Sequence, residues 1–107
     1  MPTGYKVAPS PEAEQLLYKH DRGLELLDRL VLFNWKAVGW CVGTIKAVNT
    51  DGRKKIKVSG TLLVSNFFIF YQHDETDAQH CLRLEEYGVG HPCDFGRWVL
   101  LEQVASP

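Results

Sequence analysis

The sequence predicts a mainly β protein: a small, bent barrel of five antiparallel strands preceded by one short α-helix. Three observations carry this expectation. Five short runs rich in β-branched and aromatic residues recur from Leu30 onward. Turn-forming residues punctuate them, Asn49-Thr-Asp-Gly52 most clearly. Closure into a barrel removes the unpaired edges that so many short strands would otherwise expose.

In chain order, residues 1–10 contain Pro2, Gly4, Pro9 and Ser10 and read as a flexible lead. Ser10-Pro11-Glu12 is a helix-start signal, with a capping hydroxyl, a proline at the first helical position and an early acid. Leu16, Leu17 and His20 follow at helical spacing and Gly23 is a stop, so a helix is expected over 11–22. Leu30–Trp35 is the first strand and Trp40–Val48 the second. Lys55–Val58 and Thr61–Val64 flank Ser59-Gly60 as an optional hairpin inserted after the second strand. Asn66–Tyr71, Gln79–Leu84 and Arg97–Leu101 complete the set, and the barrel is expected over 28–101 with Ile45, Ile69, Leu82 and Val99 in its core. Phe67, Ile69 and Tyr71 alternate with Phe68 and Phe70, so both faces of that strand are apolar and covering from both sides is expected.

The bulk numbers limit function. With 107 residues and 45% hydrophobic content the chain supports a single soluble domain. No apolar run approaches the roughly 20 residues that span a bilayer, and Met1–Lys6 lacks an apolar signal core, so an intracellular protein without a membrane partner is expected. Three cysteines, Cys41, Cys81 and Cys93, with no CxxC spacing fit reduced thiols. His80-Cys81 and His91-Pro-Cys93 match no common zinc module, and no metal or cofactor is expected. Phosphate loops, H-E-x-x-H and a nucleophile elbow are all missing, which argues against an enzyme.

What stands out instead is a gathering of aromatic rings and acids. Trp35 ends one strand, Gly39 and Gly43-Thr44-Ile45 follow, and a later strand ends in Phe70-Tyr71 before His73-Asp74-Glu75. These residues resemble a Tudor domain of the Royal superfamily, and the Trp35-to-Gly43-Thr-Ile45 spacing is similar to that of Polycomb-like Tudor domains. The resemblance covers about residues 28–101. It implies an SH3-like barrel that recognises methylated lysine or arginine, on a histone tail or other nuclear protein, through an aromatic cage. Carried over residue by residue, it makes Trp35 and Tyr71 walls of the cage and Asp74 the acid that accepts an N–H from a partly methylated ammonium. Cys41 stands where the family has a further aromatic, and the adjacent Trp40 is the candidate to replace it.

Two other readings stay open. Arg53, Lys55 and Lys57 fall on one face of an extended segment and would contact the phosphates of a nucleic acid. Alternatively, the rings belong to the core, and a degenerate barrel binds an unmodified partner protein.

Overall fold

A computed structural model of the chain describes residues 3–58, 60–90 and 95–104. It contains β1 (Tyr5–Val7), α1 (Ala13–Leu16), a 3-10 helix (Asp21–Leu26), β2 (Leu30–Trp35), β3 (Gly39–Val48), β4 (Lys55–Val58), β5 (Thr61–Val64), β6 (Phe67–Tyr71), β7 (Thr76–His80), a second 3-10 helix (Leu84–Glu86) and β8 (Trp98–Gln103). Six strands form one antiparallel sheet in the order β1-β8-β2-β3-β6-β7, while β4 and β5 pair only with each other. No helix among the described residues is long and apolar enough to cross a membrane.

The mainly β class agrees with expectation, but the architecture differs in closure and strand count. No ladder joins β1 to β7 among the described residues, so the sheet is open. Segment 81–87 bridges the two sides instead. At one end, Leu82 N donates to Asn66 Oδ1 at 2.9 Å. At the other, Trp98 Nε1 donates to Arg83 O at 2.8 Å, and the Tyr87 hydroxyl donates to Ala8 O. The sixth strand comes from the expected flexible lead: Tyr5, Lys6 and Val7 pair with Gln103, Glu102 and Leu101.

The N-terminal helix is also shorter than the expected 11–22. α1 is a single turn with Glu12 at its N-cap, where Glu12 and Gln15 form a capping box. Leu17 is extended and Lys19 takes φ 59, which ends the turn. His20 Nδ1 then accepts from Arg22 N at 3.1 Å and caps the 3-10 helix. The reason is tertiary. Leu16 is buried and its carbonyl accepts from Asn66 Nδ2 at 2.9 Å, so the chain is pinned to the sheet where a longer helix would have continued. Arg22 ties the two short helices together by bonding Glu12 and Glu25, and it holds both carboxyls below their usual range.

Strand β7 shifts N-terminal to the expected 79–84. Tyr71 pairs with Thr76 and Phe67 with His80, so the hairpin from β6 places the polar run Thr76–Gln79 in the sheet. The strand ends there because the Leu82 N–H is taken by the Asn66 side chain.

The sheet has two apolar faces, and alternation assigns them. Val31, Ile45, Phe67, Ile69, Tyr71, Leu82, Trp98 and Leu100 pack in the larger cluster with Leu16, Leu26 and Ala8. Leu32, Val99 and Leu101 form a smaller one on the other face, with Tyr5, Leu30, Val42 and Tyr87 against it. The four expected core residues are all buried, but Val99 belongs to the smaller cluster. Each such side chain contributes roughly 1.5–3 kcal/mol when fully buried.

Strand β3 is the spine, paired with β2 on one side and β6 on the other, with a register shift between Ile45 and Ala47. Gly43 lies opposite Tyr71. A Cβ there would sit 2.5 Å from Ile69 Cγ2 and 2.9 Å from Tyr71 Cε1, closer than carbon atoms approach. Glycine at this position is therefore a packing requirement. Gly43→Ala is expected to destabilise the domain by about 1–3 kcal/mol through overpacking. Urea denaturation measures this, and a variant as stable as the parent would contradict the packing described.

Candidate functional site

The site is built where two hairpins meet. The β2–β3 turn, Lys36–Val38, follows Trp35, and Gly39 takes φ +81 to bring the chain back. The β6–β7 turn, residues 72–75, follows Tyr71 and carries Asp74, with Glu75 at φ 54. Register puts the ring-bearing positions on one face. Trp35 lies opposite Gly39, Phe33 opposite Cys41, and Val31 opposite Gly43, which in turn pairs with Tyr71.

Trp35, Lys36, Ala37, Val38, Tyr71, His73, Asp74, Thr76 and Ala78 together line a hollow of about 400 Å³. Trp35 is half-buried and packs T-shaped with Tyr71, with centroids 5.5 Å apart and planes at 71°. Tyr71 is only 2% exposed, so the ring forms the floor of the hollow rather than a free wall. Its hydroxyl shares a 2.9 Å hydrogen bond with His80 Nε2. Phe33 closes the cluster, 4.4 Å from the His80 ring and 4.9 Å from Trp35.

The electrostatics divide the hollow into a buried floor and a charged lip. Burial pushes the Tyr71 hydroxyl pKa upward. Burial also lowers His80 to about 4, so its imidazole is neutral near pH 7. At the lip, Asp74 Oδ1 accepts from Thr76 Oγ1 at 2.7 Å, and His73 Nε2 lies 3.7 Å from Oδ2. The Thr76 hydroxyl, with His73 adding to it, holds the Asp74 carboxyl below the usual carboxylate range. The site thus offers a part-exposed indole and a carboxylate that is ionised near pH 7. Cys41 lines a neighbouring hollow, within reach of the Asp74 charge. Burial, with the Asp74 charge, raises its thiol pKa, so it is protonated near pH 7 and offers no charge.

Of the expected site residues, Trp35, Tyr71 and Asp74 come together. Trp40 does not. It pairs with Asn34 and so faces the opposite side, where it lines that second hollow with Leu30, Cys41, Val42, Thr44, Phe70, Gln72 and His73. No bulge reorients it: the β2–β3 register runs unbroken from Leu30↔Thr44 to Trp35↔Gly39. The basic residues also separate. Arg53 precedes β4 and grips Asp51, whereas Lys55 and Lys57 lie on the strand. Of the histidine and cysteine positions weighed for zinc, His91 and Cys93 lie outside the described residues. Among the described residues no group of three or more His, Cys, Asp or Glu side chains is placed to hold a metal ion.

Phe33 carried no signal in the sequence, and His80 stood out there only as a potential zinc ligand, not as a neighbour of Tyr71. The signal for His80 was its place opposite Phe67, which becomes visible only with the β6–β7 register. Comparison with known protein families, with curated proteins and with solved structures finds no match.

The buried His80 makes stability depend on pH. Its pKa falls from 6.5 in the unfolded chain to about 4 in the fold, so the unfolded state takes up a proton first as pH drops. The neutral form's contribution is complete above about pH 6.5 and is lost progressively down to about pH 4. That loss is about 2 kcal/mol by pH 5 and about 3 kcal/mol in total. Equilibrium unfolding of the parent and of His80→Gln at pH 7 and pH 5 measures it. The parent is expected to lose about 2 kcal/mol more than the variant, and equal losses would contradict a neutral buried imidazole.

Proposed function

We propose that the chain is a non-enzymatic binding module, a Tudor-like domain that takes a methylated lysine or arginine side chain into the Trp35–Tyr71–Asp74 hollow. The observation that carries the reading is the junction of a part-exposed indole and an ionised carboxylate on one hollow of about 400 Å³. A methylated ammonium sheds its hydration readily and is attracted to the indole face, for about 0.5–2 kcal/mol depending on desolvation. A carboxylate at the lip accepts the N–H that mono- and dimethyl-lysine retain. The consecutive antiparallel pairing β8-β2-β3-β6-β7 within the open six-stranded sheet is what supports the fold half of the proposal. The host of the methylated residue is then a histone tail or another nuclear protein, and the protein acts in the nucleus on chromatin.

The cage is incomplete. No third ring joins Trp35 and Tyr71 on the hollow: Cys41, at the position of the expected further aromatic, is a thiol and lines the neighbouring hollow with Trp40, and Tyr71 is buried. Affinity is therefore weak, in the high-micromolar to millimolar range, or about 4–6 kcal/mol. The burial of Tyr71 favours the competing reading, in which the same hollow takes an unmodified side chain of a partner protein.

A nuclear magnetic resonance titration with mono-, di- and trimethyl-lysine peptides separates the two. Shifts are expected around Trp35, Val38 and Asp74. Cys41→Tyr is expected to tighten binding by supplying the missing ring, and Asp74→Asn to weaken the mono- and dimethyl peptides more than the trimethyl one. If neither the parent nor Cys41→Tyr shows shifts localised to the hollow, the methyl-ammonium reading is wrong.

A further inference from the structure

The β4–β5 ribbon stands apart from the main sheet, its two strands paired only with each other. Its base is fixed by buried amides. Asn49 Nδ2 donates to Ser65 O at 2.8 Å and to Asp51 O at 3.0 Å, and Ser65 N donates to Lys54 O at 2.9 Å. Residues 51–64 carry four cations, Arg53, Lys54, Lys55 and Lys57, against one acid, Asp51. That is a local charge of +3 in a chain whose formal net charge is −1, which leaves −4 for the remainder. The charge is segregated onto the ribbon.

The four cations are not equivalent. Arg53 Nε and Nη2 bond the two carboxylate oxygens of Asp51 at 3.1 and 3.2 Å. Lys54 Nζ lies over the Phe68 ring, 5.9 Å from its centroid. Lys55 and Lys57 are exposed, and neither is engaged by another described residue. Two residues apart on one strand, they project from the same face with about 7 Å between them along the chain. Their cross-strand partners on that face are Val64 and Leu62.

We infer that the β4–β5 ribbon is a contact for the phosphate backbone of duplex nucleic acid, with Lys55 and Lys57 displacing its condensed counterions. A two-stranded ribbon fits the major groove of a duplex, which is about 12 Å wide. Lysines are point charges without the planar fork that reads base edges, so the contact is indifferent to sequence. A membrane surface is the poorer fit. Interfacial binding rests on a broad apolar face, and the lysine-bearing face exposes one large apolar side chain, Leu62, at 62%. Asp74 and Tyr71 do not touch the ribbon's hollow, although Trp35 and Lys36 line it together with Ile56, Lys57 and Val58.

The test measures anisotropy of a labelled, mixed-sequence DNA duplex of about 20 base pairs with the whole chain, from about 20 to 200 mM salt. Two phosphate contacts give a log–log slope of roughly −1.8. The double variant Lys55→Gln/Lys57→Gln is expected to flatten the slope and to weaken binding at the lowest salt by at least about tenfold. Lys55→Arg/Lys57→Arg is expected to keep it. Asp51→Asn releases Arg53 and is expected to steepen the slope by about 0.9. Circular dichroism checks that each variant is folded. No binding at the lowest salt, a slope unchanged in the Gln double variant, or capture of anionic vesicles or polyglutamate in place of the duplex would overturn the inference.

Discussion

The close approach of β6 to β3 at Gly43 is the contact on which the rest of the molecule depends. With no side chain on β3 at that point, Ile69 and Tyr71 drop against the backbone. Tyr71 thereby reaches the depth at which its hydroxyl meets His80, and the ring packs T-shaped against Trp35. A methyl group at Gly43 would lift the ring, and the floor of the hollow with it. The same strand carries Cys41 one pleat away and Ile45 one pleat the other way, so core packing and site geometry share a single constraint.

Around that contact the polar interior is fully assigned. Among the described residues no buried side-chain nitrogen or oxygen lacks a hydrogen-bond partner. Asn66 illustrates how much one side chain does: Nδ2 donates to Leu16 O and Leu82 O while Oδ1 accepts from Leu82 N. A single amide thus joins the N-terminal turn, β6 and the segment after β7. Leaving such a group unsatisfied costs about 1–3 kcal/mol, so these brackets specify the loops as firmly as the apolar core specifies the strands. Asn49 does the same at the base of the β4–β5 ribbon, which explains how a two-stranded element, marginal by itself, is held in place.

The molecule also separates its charges by region. The hollow has an acid at its lip and a neutral histidine beneath, whereas the ribbon gathers four of the basic residues. A cationic side chain and a polyanion are therefore attracted to different parts of one small domain. The Asp51–Arg53 pair lowers the charge the ribbon presents, leaving Lys55 and Lys57 as its outward cations.

The sequence by itself determined the β class, the limits of β2, β4 and β5, and the burial of Ile45, Ile69, Leu82 and Val99. Alternation and turn chemistry are local, so residues within a few positions of one another suffice to set them. It also singled out Trp35, Tyr71 and Asp74, each at the end of a strand or just beyond it. Alternation along the strand already set Trp40 on the face opposite Cys41, but tertiary structure alone decided that Trp35, Tyr71 and Asp74 share a hollow, because that depends on the pairing of β3 with β6, strands distant in the chain. The same holds for the open sheet with its added β1, for the short α1 cut off where Asn66 takes the Leu16 carbonyl, and for β7, whose polar run carries little strand signal. His80 acquired its depressed pKa only when Phe67, Tyr71, Phe33 and Trp35 were folded around it, since desolvation is a property of the surroundings and not of the residue.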